Sequence, residues 1–163
     1  MSDVTVLACG ELPRGALADL FAPYGLRVRW CADGAPIPGT YWGEPEAGLR
    51  GTVLSVRADT PVHSALHEGG HFLCMDAARR ARLDTDAGGT LLEECGACYL
   101  QILLAGCLPG ATPERIQADM DAWGYTFRLG SARAWFEADA EDAVAFLAGR
   151  GLTDRDGNLR APA

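Results

Sequence analysis

Apolar positions recur at helical spacing in two long stretches. One spans residues 61–82, where Leu66, Phe72, Leu73, Met75 and Ala77 keep one side apolar; the other spans 90–105, with Leu91, Leu92, Leu100, Ile102, Leu103 and Leu104. Thr60 as N-cap and Pro61 as first helical residue open the first, and Arg79, Arg80 and Arg82 favour its C-terminal end. Shorter helical patterns cover 13–21, starting on Pro13, and 112–123, where Thr112-Pro113-Glu114 is the start signal. A last helical region begins at Ser131, with a break expected at Asp139 or Asp142, and ends at Gly149 and Gly151.

Strand patterns are fewer. Residues 4–9 are β-rich, 26–30 alternate apolar and charged, 52–57 form a further strand, and 124–129 suit a short one. The first strand, the helix after it and the second strand suggest a βαβ opening. Between 33 and 51 proline and glycine dominate, which predicts loop, with Tyr41-Trp42 pinning it down or forming a short strand. The elements predict an α+β fold, a small twisted sheet packed on helix 61–82 with further helices beside it. One domain over 1–152 and a frayed polar tail over 153–163 are expected.

The helix at 61–82 carries His67-Glu68-Gly69-Gly70-His71. Residues four apart on a helix share a face, about 6 Å apart along the axis, so His67 and His71 can put two imidazoles on one metal ion. Glu68 stands one residue round, where a general base for a metal-activated water belongs. Gly69 and Gly70 each cost a helix about 1 kcal/mol against alanine, so close approach of another helix or of substrate is expected there. A catalytic zinc needs a third protein ligand and an open position. Glu93 and Glu94 on the next helix are the candidates. Thr90-Leu91-Leu92-Glu93 reads as a capping box, which would employ Glu93 at the Thr90 backbone N–H and leave Glu94 for the metal. His63 is a rival third ligand, but three histidines along one straight helix span about 12 Å.

These features resemble the gluzincin metallopeptidases, and most closely their small ImmA/IrrE-type branch. The shared features are a strand before the metal helix, the HEGGH run, and Glu94-Cys95-Gly96-Ala97-Cys98 on the next helix, followed by Leu103-Leu104 and Pro109. The likeness covers roughly residues 35–109. It implies a zincin-like fold, one zinc ion on His67, His71 and Glu94, Glu68 as base, and hydrolysis of a peptide or protein substrate. The chain departs from the pattern at Cys98, where the family carries an amide or carboxylate that orients a ligand. The alternative is a non-catalytic zinc-binding domain acting as a partner-binding or regulatory module; a metal hydrolase acting on a non-peptide bond is a third reading.

Other features change the picture less. The chain has 163 residues and a formal net charge of −8, which argues against nucleic acid and anionic membrane as partners. No segment reads as a secretion signal or a membrane span, so a cytoplasmic location is expected, and the six cysteines are expected to be free thiols. Cys95-x-x-Cys98 can also be read as a redox pair or half a metal site. Asp84 and Asp86 are turn carboxylates that can reach a zinc histidine, and Tyr99 and Tyr125 are candidates to stabilise an oxyanion. The strand ending near Arg57 is expected to offer an edge to an extended peptide.

Overall fold

The structure, a computed structural model, describes residues 5–84 and 88–161. It is an α+β fold with a three-stranded mixed sheet and seven α-helices among the described residues. In chain order these are α1 (Ala16–Phe21), β1 (Arg27–Trp30), β2 (Gly48–Arg50), β3 (Val53–Val56), α2 (Val62–Cys74), α3 (Ala77–Arg82), α4 (Leu91–Ala105), α5 (Pro113–Trp123), α6 (Ala132–Ala138) and α7 (Glu141–Gly149). None is long and apolar enough to cross a membrane.

The sheet has the order β1-β3-β2. β3 runs parallel to β1, with Arg27 opposite Val53 and Trp30 opposite Val56, and antiparallel to β2, with Leu49 opposite Leu54. Leu49, Leu54 and Val56 are fully buried. β3 is therefore the central strand, and its backbone is paired on both sides. It offers no edge to a peptide, contrary to the sequence reading. The outer side of β2 is also covered, because Leu49 N–H donates to the Gly39 carbonyl (3.2 Å) and Thr40 bridges to Gly48.

The expected βαβ opening does not form. Of residues 5–9 only Ala8 makes a bridge, to Pro61. This stretch ties down the start of α2: Leu7 O accepts the Val62 N–H at 2.8 Å, one of the donors a helix N-terminus leaves unpaired, and Cys9 N–H donates to Thr60 O at 2.8 Å. Pro61 itself sits at the cap of α2, and the Thr60 hydroxyl accepts from Arg57 N–H instead of capping the helix. Helix 13–21 is likewise shorter than expected and starts at Ala16.

Helix α2 ends at Cys74, not near Arg82. Met75 is extended, and Asp76 caps the separate helix α3 through Arg79 N–H at 2.8 Å. Residues 124–129 form no strand, and the break in the last helical region falls between α6 and α7 at Asp139 and Ala140. The tail is packed, not frayed, over its described length. Thr153 is buried and bridges to Leu159, and Arg160 N–H donates to Leu152 O.

Helices α2 and α4 form the most extensive helix pair, and the core between them is continuous with the buried face of the sheet. Gly69 and Gly70 of α2 explain how they fit. A Cβ on Gly70 would lie 3.0 Å from the Ala97 carbonyl oxygen and 3.3 Å from its Cα, so the backbone of α4 occupies that space. A Cβ on Gly69 would collide with the Phe21 ring of α1.

Candidate metal centre

Close approach of α4 brings its first turn over the histidine face of α2. Thr90 caps α4, its hydroxyl accepting from Glu93 N–H at 3.1 Å. This fixes the directions of Glu93 and Glu94. Glu94 Oε1 lies 2.8 Å from His67 Nε2, and its Oε2 lies 2.7 Å from His71 Nε2. The histidine rings are 4.8 Å apart between centroids and nearly perpendicular. The structure thus brings together the three groups named from sequence, with both imidazoles presenting Nε2 to one carboxylate.

Glu93 has a structural task, but a different one from that expected. Its side chain does not return to the Thr90 N–H. It is buried and receives Arg79 in a two-pronged pair, with Nη1–Oε2 at 2.6 Å and Nη2–Oε1 at 2.9 Å. Its Oε1 also faces His71 Nδ1 at 3.6 Å, beyond hydrogen-bonding distance but close enough for a carboxylate to favour an N–H there.

Gln101 is the residue that sequence reasoning missed. Its Oε1 lies 2.8 Å from His67 Nδ1, and its Nε2 donates to the His63 carbonyl at 3.0 Å. A carbonyl only accepts, so the amide nitrogen must face His63 and the amide oxygen must face His67. His67 Nδ1 therefore carries the hydrogen, and Nε2 is the nitrogen left for a metal. The signal was present: Gln101 follows Glu94 by seven residues, which returns to the same helix face, and no other amide or charged side chain occurs in 97–105.

His63 is buried and does not join the centre. Its ring packs against Trp123 and Tyr125, and its Nδ1 is 3.3 Å from the Tyr125 hydroxyl. Asp84 pairs with Arg50 at 2.7 Å, and Asp86 lies outside the described residues. Tyr99 stacks on Phe136 away from the histidines, whereas Tyr125 stands beside His67.

All six cysteines are free. Cys98 approaches His67, its Sγ 3.9 Å from Nδ1, and His67, Glu94 and Cys98 offer ligand atoms within 4.8 Å of one another. That group can hold a metal. The sulfur lies on the Nδ1 side of the ring, already bonded to Gln101, while the shorter contacts of 2.7 and 2.8 Å join Glu94 to the two Nε2 atoms. His71 joins His67 through the second oxygen of the same Glu94 carboxylate, with Cys98 beside them. Imidazole, carboxylate and thiolate are all ligands that zinc accepts.

The electrostatics follow from burial and these contacts. Burial disfavours a charged His67, but Cys98 and Glu94 at its ring outweigh that and raise its proton affinity well above the ordinary histidine value. Burial would raise Glu94, yet hydrogen bonds from both histidines hold it far below the usual carboxylate range. Glu68 is half-buried. Burial raises its affinity for a proton, and Glu94 and Glu46 reinforce this against the pull of the histidines.

Glu68 opens onto a cleft of about 420 Å³ walled by Trp42, Glu46, Ser64, Trp123 and Tyr125. Trp123 Nε1–H donates to Glu46 Oε1 at 2.7 Å, and Ala47 N–H donates to the Ser64 hydroxyl at 3.0 Å, which fastens the segment before β2 to α2. Burial pushes the Tyr125 phenol up to about 12, so it stays protonated at neutral pH.

No protein-family model matches the chain, and neither the curated proteins nor the solved structures contain a match to it.

Proposed function

We propose that the chain is a zinc-dependent peptidase of the zincin-like type, with one ion held by His67, His71 and Glu94. The observation that carries this reading is the convergence of the two Nε2 atoms on Glu94, at 2.8 and 2.7 Å, with Glu68 beside them at the wall of a cleft. Zinc held there supplies Lewis acidity, which activates water and polarises a carbonyl.

The residues of the chain do the rest. Glu68 accepts a proton from the attacking water and passes it to the leaving amine. Its raised proton affinity suits that exchange, since a base works best when its pKa approaches the operating pH. Gln101 holds His67 in the tautomer that presents Nε2, and Glu93, itself held by Arg79, stands behind His71. Substrate enters the cleft between the segment at 42–47 and residues 123–125, since β3 is closed to pairing.

The test is cleavage of a mixed peptide library by zinc-loaded protein, with mass-spectrometric detection of new termini and a chelator control. Glu68→Gln is expected to keep its zinc and lose turnover by about 10²–10⁴-fold. Undiminished cleavage by Glu68→Gln contradicts Glu68 as base. Zinc binding without any cleavage by the unaltered protein points to the non-catalytic zinc module.

A further inference from the structure

We propose that Glu46, with the aromatic walls around it, selects substrates bearing a positive charge: an arginine or lysine side chain, or a free peptide amino terminus. The proposal rests on the peptidase reading for the location of the substrate and deepens it by naming the substrate class.

Three carboxylates line the cleft: Glu46, Glu68 and Glu94. Glu94 is assigned to the metal and Glu68 to the proton, so Glu46 has no part in the chemistry. Its position is nevertheless fixed. Trp123 Nε1–H occupies Oε1 at 2.7 Å, and the following residue is bonded to Ser64 of α2. The Trp123 bond uses one of its two carboxylate oxygens. No arginine lines the cleft among the described residues, and the chain contains no lysine, so no guanidinium or lysine ammonium of the protein competes for Glu46 there.

The walls add to this. Trp42 is 77% exposed, and Trp123 and Tyr125 line the same cleft. Aromatic faces attract cations, tryptophan most strongly, and a carboxylate beside them gives the cation a hydrogen-bond acceptor. An acidic substrate group would instead meet the like charge of Glu46. The net charge of −8 extends the same preference to the approach of the substrate.

The experiment measures binding to zinc-loaded Glu68→Gln protein by calorimetry, so that no ligand is cut. Four pentapeptides are compared: acetylated and amidated forms of Ala-Ala-X-Ala-Ala, with X arginine, glutamine or glutamate, and the glutamine peptide with a free amino terminus. At low salt one of the two cationic peptides is expected to bind at least about tenfold more tightly than the neutral and acidic ones, and which of them does so identifies the source of the charge. Adding Glu46→Gln, which keeps an acceptor for Trp123, should reduce that preference to below about threefold. Trp42→Ala, at an exposed position that does not threaten folding, should weaken the same peptide selectively. Equal affinities for all four peptides, binding of none, or a preference that survives Glu46→Gln overturns the proposal. Because binding is read on protein that does not cleave, this failure is distinct from failure of the peptidase reading, which the cleavage assay decides.

Discussion

Gln101 holds His67 from behind: its amide oxygen lies 2.8 Å from Nδ1, while its amide nitrogen is engaged by the His63 carbonyl at 3.0 Å. The second bond determines the orientation of the first. A glutamine held at only one end can flip; this one is held at both. Partners of this kind behind a metal ligand commonly contribute 10–100-fold in metal affinity. Gln101→Leu is therefore expected to weaken zinc binding by about that factor while the fold persists, as read by competition with a chromophoric chelator. Unchanged affinity would show that Gln101 does not orient the ligand. The contact that orients Nδ1 comes from Gln101, one helical turn along α4 from Cys98, whose sulfur stands 3.9 Å from the same nitrogen.

Gly70 is expected to resist substitution. Glycine to alanine inside a helix ordinarily gains about 1 kcal/mol. Here the new Cβ would meet the Ala97 carbonyl oxygen at 3.0 Å, and Ala97 is backbone of the helix that carries Glu94. Relief requires α4 to move away from α2. Gly70→Ala is predicted to lower stability by about 1–3 kcal/mol, the usual cost of overpacking, and to weaken zinc binding as well. Thermal denaturation with and without zinc reads both effects. A more stable variant with full zinc affinity would mean that the close approach of the two helices is not needed.

His63 gives stability a defined dependence on pH. Burial, with some help from His67, lowers its pKa in the folded chain to about 3, against about 6.5 when unfolded. Above pH 6.5 neither state holds the proton. Between these values only the unfolded chain does, so stability falls as the pH falls. At pH 5.5 the loss attributable to this residue is about 1.3 kcal/mol relative to pH 7. His63→Asn removes the titration, so its stability should fall less over the same range by about that amount. Denaturant titrations at both pH values, with chelator present to exclude metal release, supply the comparison. Parallel losses in the two proteins would show that His63 is not kept neutral by the fold.

Much of the centre was legible in the sequence because it depends on local rules. Four-residue spacing put His67 and His71 on one face, and Thr90 as cap set the first turn of α4, so that Glu94 points to the histidines. The capping-box reading gave Glu93 a structural partner, but a wrong one: Glu93 bonds Arg79, fourteen residues away and on a helix the sequence reading did not separate from α2. That break was signalled by Asp76, a good N-cap, but the apolar pattern continues through Met75 and Ala77 and masked it. The sheet was less legible. Residues 4–9 have strand composition, yet Leu7 O and Cys9 N–H bond at the start of α2 while Leu7 N–H donates to Asp119, and Gly48–Arg50 forms a strand within a glycine- and proline-rich stretch. Pairing of this kind is decided by distant partners, which propensity does not record. The contact between Glu46 and Trp123 spans 77 positions and had no local signature.

The account depends on which atoms hold the metal, and the zinc X-ray absorption spectrum of the loaded protein reads them directly. His67, His71 and Glu94 predict a first shell of nitrogen and oxygen alone at about 2.0–2.1 Å, with the outer-shell scattering of two imidazoles, at one zinc per chain. A sulfur shell at about 2.3 Å would place Cys98 on the metal in place of His71 and contradict the centre described above, as would the absence of stoichiometric zinc.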